Sequence, residues 1–314
     1  MSTVNRPRLS IVICTWNRAP RLRLTLASLL QSEASALSCC EVLVVDNRST
    51  DATRATADAY VQTGAVRYVL ETNPGLSHAR NRGVAETTGL WILFLDDDVL
   101  VAPTFLTNYL AGMASHAFAG YFGGPVRPLF DGATRAWTSA VMTDHPWIYS
   151  CLDLGPPTRP FRPGQFPFGA NMCIRRDLLL DHPFSPELGY RHGALIPGEE
   201  AELFARLQGM GIDGVWLADC ALQHCLPDER NSLRYLMRRA HGQGRMIGRN
   251  TAHQGRSALW ALRDAVAAIG RTIVQLVPEP GSAVASLVRL SFDVGVLRGY
   301  GIDGRRASHR QDAR

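Results

Sequence analysis

The chain contains no lysine: all 33 of its basic residues are arginine, so every mechanism built on a catalytic lysine is excluded. Its seven cysteines form no CxxC pair, and most sit in apolar runs where cysteine packs as a small hydrophobe. They are expected to be reduced thiols of a cytosolic protein. No stretch reaches the roughly 18 uncharged apolar residues that a membrane span requires, so the chain is not expected to cross a bilayer. Behind Arg6 and Arg8, the run Leu9 to Cys14 is too short for a signal-peptide core and carries no small-residue cleavage site. It reads as a first strand. No internal repeat is present.

What the chain does have is enough apolar content, 46% of 314 residues, to bury a full core. Its net charge of +5 suits nucleic acid, an anionic membrane surface or phosphate-bearing substrates equally well. The first hundred residues alternate short apolar runs with helical periodicity. Ser10 to Cys14 is followed by Leu22, Leu26, Leu29 and Leu30 at helical spacing, and then by Val42 to Val45. Val66 to Leu70, a helix from about Leu76 to Thr87, and Trp91 to Leu95 continue the pattern. Such alternation predicts an α/β fold with a mostly parallel, doubly wound sheet flanked by helices. From Val126 to Pro167 proline, glycine and tryptophan scatter without a period, which reads as an irregular connection near the site. A strand at Met172 to Ile174, a helix carrying Leu203, Phe204 and Leu207, and strands around Val215 and Leu222 follow. The sheet domain is expected to span residues 1–227.

Polar clusters stand where the apolar runs end: Thr15-Trp-Asn-Arg18, Asp46-Asn-Arg-Ser-Thr-Asp51 and Asp96-Asp-Asp98. In an open parallel sheet ligands bind outside the carboxyl ends of the strands, so three such clusters on one edge define one crevice. Three adjacent carboxylates repel one another, and a divalent cation relieves that repulsion. Oxygen ligands shared with substrate phosphates suit Mg²⁺ or Mn²⁺. An exposed acidic turn, with Asp98 or Thr104 capping a helix near Pro103, accounts for the same residues without a ligand.

Six ordered segments carry a resemblance. They are Ser10-Ile-Val-Ile-Cys-Thr-Trp-Asn-Arg18, Val44-Val-Asp-Asn-Arg-Ser-Thr-Asp51, Asn73-Pro-Gly-Leu-Ser-His-Ala-Arg-Asn-Arg-Gly83, Phe94-Leu-Asp-Asp-Asp98, Gly169-Ala-Asn-Met-Cys-Ile-Arg-Arg176 and Gly198-Glu-Glu-Ala-Glu-Leu203. Over residues 8 to 250 the chain resembles the family 2 glycosyltransferases. The resemblance implies a GT-A type Rossmann-like fold and an inverting transfer of sugar from a nucleotide-diphosphate donor to an acceptor hydroxyl. It further implies that Thr15 and Asp46 contact the base, Arg80 the base or the phosphates, Asp96 and Asp97 the ribose, and Asp98 the metal. Asn17, Arg18 and Asn81 fall in the same nucleotide-sugar-binding segments, and Asn171 on the acceptor side. Glu200 matches the catalytic base, with Glu199 as the fallback. Family members usually carry Asp there, so the reach of the base differs by one methylene. His224 resembles the histidine that completes the metal shell with Asp98 and Asp96 in some members; packing beside Cys225 is the competing reading. The QxxRW motif of processive relatives is missing, since Gln243 is followed by Gly-Arg245-Met, and a single transfer is expected.

Beyond residue 227, Arg234, Arg238, Arg245 and Arg249 mark a basic helical stretch interrupted by Gly242 and Gly244. Two amphipathic segments, Leu259 to Val277 and Ala283 to Leu297, flank Pro278-Glu-Pro-Gly281, and the tail Arg305 to Arg314 reads as disordered. Residues 228–314 are thus expected to form a helical extension. Its apolar faces suit peripheral contact with the inner face of the cell membrane, or packing on the sheet domain or a second subunit. The acceptor is expected to be a saccharide or a lipid-linked molecule. Nucleic acid is not expected as a partner, because Tyr235 is the one aromatic of the basic stretch. A nucleotide-sugar sensor without turnover is the alternative function. A haloacid-dehalogenase-type phosphatase matches Phe94 to Val99 superficially but needs a lysine that the chain lacks.

Overall fold

The computed structural model of the protein describes residues 7–191, 194–196, 198–253 and 280–299. The apolar runs form strands β1 (Leu9–Thr15), β2 (Cys40–Asp46), β3 (Arg67–Leu70) and β4 (Trp91–Asp96). Helices α1 (Ala19–Leu29), α2 (Ala34–Leu37), α3 (Thr53–Val61) and α4 (Leu76–Glu86) connect them. These four strands run parallel, with β2 and β4 on either side of β1 and β3 outside β2.

Their continuous hydrophobicity follows from two-sided burial. Ile11, Ile13, Val42, Val44, Leu93 and Leu95 face Leu22, Leu26 and Leu29 of α1. Val12, Leu43, Val45, Ile92 and Phe94 face Ala79 and Val84 of α4. Burying each large aliphatic side chain is worth about 1.5–3 kcal/mol, so both faces hold the strand in register. That register is what builds the site: Thr15 pairs with Asp46, and Cys14 with Asp96, at the carboxyl end of the sheet.

After Asp98 the chain forms β5 (Val99–Val101), α5 (Phe105–Ser115), β6 (Tyr121–Gly123) and β7 (Val126–Phe130). Helix α6 (Thr138–Asp144), a 3₁₀ turn (Pro146–Tyr149), β8 (Arg159–Pro160), β9 (Asn171–Arg175) and α7 (Arg176–Asp181) follow. A hairpin of β10 (Gly189–Arg191) and β11 (Ala194–Ile196) leads into α8 (Glu199–Gly209), β12 (Gly214–Trp216) and β13 (Leu222–Leu226). The large sheet has eight strands in the order β3-β2-β1-β4-β9-β6-β12-β8, with β9 antiparallel to both neighbours. The sheet is mostly parallel and flanked by helices, as the alternation of apolar runs and helical periods predicts. A second sheet, β5-β13-β7, stands apart from it.

The chain divides into two compact units, residues 1–129 with 152–225 and residues 130–151 with 226–314. Residues 130–151 are therefore more than an irregular connection. Val141, Ile148 and Tyr149 share one buried cluster with Leu226, Leu236, Ala240, Ala285 and Val288. Asn231, fully buried, accepts hydrogen bonds from the Tyr149 and Thr138 hydroxyls at 2.7 and 3.2 Å.

In this second unit α9 (Leu233–His253) runs without the interruption expected at Gly242 and Gly244, and α10 (Pro280–Arg298) follows. The reason for Gly244 is packing: a Cβ there would stand 2.0 Å from the Phe292 carbonyl, and one on Gly295 would stand 2.2 Å from that of His241. The two helices approach backbone to backbone, which offsets the roughly 1 kcal/mol that glycine costs within a helix. Leu259 to Val277 and Arg305 to Arg314 lie outside the described residues. Among the described residues no helix is long and apolar enough to cross a membrane.

Candidate active site

Strand β4 ends on Asp96, and β5 begins at Val99, so Asp97 and Asp98 occupy the sharp turn between two sheets. Strand β13 pairs antiparallel with β5, setting His224 opposite Val99, while the Cys225 N–H donates to the Asp98 carbonyl at 2.7 Å. Backbone pairing thus brings a residue 126 positions later against the carboxylate turn. His224 Nε2 lies 3.0 Å from Asp98 Oδ1, and both side chains are 3% exposed. Asp96, Asp98 and His224 each offer a ligand atom, all within 4.8 Å of one another. His224 Nδ1 is buried without a hydrogen-bond partner. Two carboxylates and an imidazole whose Nε2 faces one of them fit a divalent cation.

The electrostatics of this turn are those of crowded, buried acids. Burial, with Asp98 alongside, raises the Asp96 pKa above the usual carboxylate range against the pull of His224, Arg80 and Arg18. Asp97 is pushed up to about 7, chiefly by burial; Arg18 opposes the rise, and so does the Thr15 hydroxyl that donates to Asp97 at 2.6 Å. Arg18 Nη1 bonds to Asp98 Oδ2 and lies 3.6 Å from Asp97 Oδ1.

A second cluster faces the crevice from α8. Leu203, Phe204 and Leu207 bury one side of that helix, and Gly198, at φ 123°, starts it. Glu199 and Glu200 therefore stand on its first turn, where the positive end of the helix dipole stabilises each by about 0.3–1 kcal/mol. Arg80 of α4 reaches them both, with Nη1 3.2 Å from Glu199 Oε1 and Nη2 2.9 Å from Glu200 Oε1. Arg80 is 2% exposed, and its guanidinium lies near the Phe184 and Phe94 rings. Burial works against the charge of Arg80, but Glu200, Glu199 and Asp96 outweigh it and raise its pKa. Burial likewise pushes Glu200 up to about 7; Arg80 holds it down, and Glu199 and Asp96 add to the rise.

The sequence-predicted residues separate into those that face the crevice and those that build it. Arg80, expected on the base or phosphates, donates from Nη1 to Glu199 and from Nη2 to Glu200. Asp46 accepts from the Ser49 N–H at 2.8 Å and the Tyr68 hydroxyl at 2.9 Å, closing its own loop. Asn17, at φ 54°, accepts from the Thr50 and Asp51 N–H groups. Asn81 clamps the Phe184 backbone through both ends of its amide. Asn171, expected on the acceptor side, is fully buried; it accepts from the Tyr109 hydroxyl and donates to the Pro125 and Cys220 carbonyls. A short polar residue after an apolar run marks a strand end equally well for both roles.

Sequence reasoning missed two residues. Asn47 donates to the Glu71 and Asn73 carbonyls and accepts from the Gly75 N–H, which shapes the loop that starts α4 and so aims Arg80. Gly169 lies under the acidic pair, where a Cβ would fall 1.9 Å from Glu200 Oε1 and 2.2 Å from Arg80 Nη2. Only its place in the motif pointed to it.

Known proteins are similar to this chain in sequence and in fold. In sequence, 118 residues are 36% identical to the validoxylamine A glucosyltransferase of Streptomyces hygroscopicus subsp. jinggangensis, a match covering 37% of this chain and 28% of that protein. The chain thus spans under a third of that relative's length. A longer match, 26% identical over 253 residues, joins 78% of this chain to 76% of the succinoglycan biosynthesis protein ExoM of Rhizobium meliloti. In structure the chain is similar to the mannosyltransferase PcManGT of Pyrobaculum calidifontis, solved with GDP-Man and Mn²⁺. There the TM-score is 0.56 at 17% identity, covering 98% of this chain and 80% of that one, which shows the shared fold. Residues 10–182, more than half the chain, match the family described as Glycosyl transferase family 2. The chain belongs to that family.

Proposed function

We propose that the protein is an inverting, metal-dependent glycosyltransferase that moves one sugar from a nucleoside-diphosphate donor to an acceptor hydroxyl, with Glu200 as the base. The observation that carries this reading is Arg80. One buried guanidinium holds Glu199 and Glu200 while feeling the charge of Asp96, so the acidic pair and the carboxylate turn belong to one crevice. The match to PcManGT, solved with GDP-Man and Mn²⁺, supports a nucleotide-sugar donor and a divalent cation.

Asp98, Asp96 and His224 would hold Mg²⁺ or Mn²⁺, which supplies positive charge to a leaving diphosphate. Glu200, ionised, takes the proton of the acceptor hydroxyl as that oxygen bonds to the anomeric carbon. The bond from that carbon to the diphosphate oxygen breaks, and its electron pair leaves with the nucleotide. One displacement with one base inverts the anomeric centre. Arg80 orients Glu200, and Thr15 holds Asp97 beside the cation site. The acceptor is a saccharide or a lipid-linked molecule.

The site of action we infer is the inner face of the cell membrane, reached through the second unit. That unit carries sixteen Arg against nine Asp and Glu, whereas the first carries seventeen against nineteen. Helix α9 has five Arg and no acidic residue, with Leu233 and Met237 exposed beside Arg234 and Arg238. Arginine interleaved with apolar side chains suits anionic headgroups.

Donor turnover and product configuration test the reading. Incubation with nucleotide sugars and Mn²⁺ should release nucleoside diphosphate, and Asp98→Asn should abolish that release while keeping the fold. A product that retains the donor's anomeric configuration would remove Glu200 from its role. Donor binding without any release would favour the sensor.

A further inference from the structure

Arg18 is fixed at its root, while its side chain is partly exposed. The preceding Asn17 is pinned to the loop after β2: its N–H donates to Ser49 Oγ at 2.8 Å, and its side chain accepts from the Thr50 N–H at 2.7 Å. The Arg18 N–H donates to Thr53 Oγ1 at 3.3 Å, and the next N–H, that of Ala19, donates to Asp51 at 3.1 Å. The side chain, by contrast, is 36% exposed, and its guanidinium rests on Asp98, whose own side chain is 3% exposed. It occupies one oxygen of the carboxylate whose other oxygen faces His224.

Asp98 is thus claimed twice, by an arginine and by the group that fits a divalent cation. A guanidinium and a divalent cation a few ångströms apart repel by several kcal/mol even at an effective dielectric of about 20. Three clustered carboxylates can draw in either one, but both together are disfavoured. Departure is easier for Arg18, whose side chain is partly exposed, than for Arg80, which is also near Asp96 but is buried and held by two glutamates.

We propose that Arg18 is the resident counter-ion of the carboxylate turn and exchanges with the divalent cation. As the cation settles among Asp96, Asp98 and His224, the guanidinium leaves Asp98 and turns to the donor diphosphate. Metal entry is thereby coupled to donor capture. This rests on the cation site described above. Arginine suits both postures, since its planar fork pairs with carboxylate and phosphate alike.

The competing role is a fixed brace, in which Arg18 stays on Asp98 and orients it for the metal. The two roles predict opposite signs. Mn²⁺ binding to the full chain without nucleotide, read by the electron spin resonance of free Mn²⁺, separates them. Exchange predicts that Arg18→Gln binds Mn²⁺ about tenfold more tightly than wild type, because removing one charge-assisted, partly exposed hydrogen bond frees the carboxylate. The same variant should bind UDP and GDP about tenfold more weakly by calorimetry in saturating Mn²⁺, since a charged phosphate contact is lost. Arg18→Lys, which keeps the charge, should return Mn²⁺ affinity towards wild type and controls for folding. Unchanged or weaker Mn²⁺ binding by Arg18→Gln, with wild-type binding that Asp98→Asn removes, would overturn the exchange and leave the cation site standing. Mn²⁺ binding by none of the chains would overturn both.

Discussion

Gly169→Ala adds one methyl group and should disarm the base. The new Cβ would lie 1.9 Å from Glu200 Oε1, 2.8 Å from its Cδ and 2.2 Å from Arg80 Nη2, whereas ordinary contact begins near 3.4 Å. Both must therefore retreat, Glu200 Oε1 by about 1.5 Å and Arg80 Nη2 by about 1.2 Å. Arg80 is the less able to move, because Phe184 and Phe94 flank it at 5.2 and 5.9 Å and Glu199 holds its other nitrogen. Glu200, 23% exposed, gives way further, and its 2.9 Å bond to Arg80 is lost. A misplacement of about 1 Å at the chemistry costs on the order of 10²-fold, so kcat should fall by about that factor while donor affinity stays within a few-fold. Folding stability should drop by only about 1 kcal/mol, less than the usual 1.5–3 kcal/mol for a charged bond, because Arg80 keeps Glu199. The larger clash is with the far end of Glu200, so Glu200→Asp, shorter by one methylene, should relieve that part of it. Starting from Glu200→Asp, the added methyl should cost well under tenfold, a coupling that initial-rate assays of the four chains would measure. A Gly169→Ala enzyme with wild-type kcat, or equal penalties in both backgrounds, would show that Gly169 does not set the position of the base.

With Glu200 pushed up to about 7, kcat/KM should rise with pH through about 7, because only the ionised carboxylate accepts the proton; a profile flat from pH 5 to 8 would refute this. The same shift lowers stability as pH rises from the ordinary 4.5 to about 7, since in that window the folded chain keeps a proton that the unfolded chain releases, and Glu200→Gln should flatten that part of a Tm-versus-pH curve. His224→Ala should raise the Mn²⁺ concentration for half-maximal rate by about tenfold or more, and an unchanged Mn²⁺ dependence would assign His224 to packing. Arg234→Glu combined with Arg238→Glu should abolish flotation with anionic liposomes at low salt without altering turnover of a soluble acceptor; a wild-type chain that stays at the bottom of the gradient would remove the membrane from the reading.

The parallel half of the sheet was legible because two-sided burial leaves unbroken apolar runs, as in Ile11-Val-Ile13 and Leu43-Val-Val45, and the helices between them show an apolar stripe. The carboxylate turn was legible for a related reason: charged residues directly after such a run must lie at a strand's carboxyl end. Residues 130–151 were opaque because their partners are distant. Val141 and Ile148 bury against Leu236, Ala285 and Val288, and no local period records a contact between segments so far apart. Gly244 reads as a helix breaker in isolation and becomes a packing residue only once the Phe292 carbonyl lies against it.

The departure at Glu200 shows what a motif can carry and what it cannot. The spacing Gly198-Glu-Glu-Ala-Glu places two carboxylates on the first turn of a helix, and that much is local. Whether the longer side chain reaches the same point depends on atoms that the motif does not contain. Arg80, 120 residues earlier, draws the carboxylate to 2.9 Å, and Gly169, with no Cβ, leaves the space that the extra methylene needs. Arg80 in turn is aimed by the loop that Asn47 shapes ahead of α4. The reach of Glu200, the proposed base, is therefore fixed by three segments meeting at one point, each too weak a signal alone, and a change in any of them should register at Glu200 before it registers in the fold.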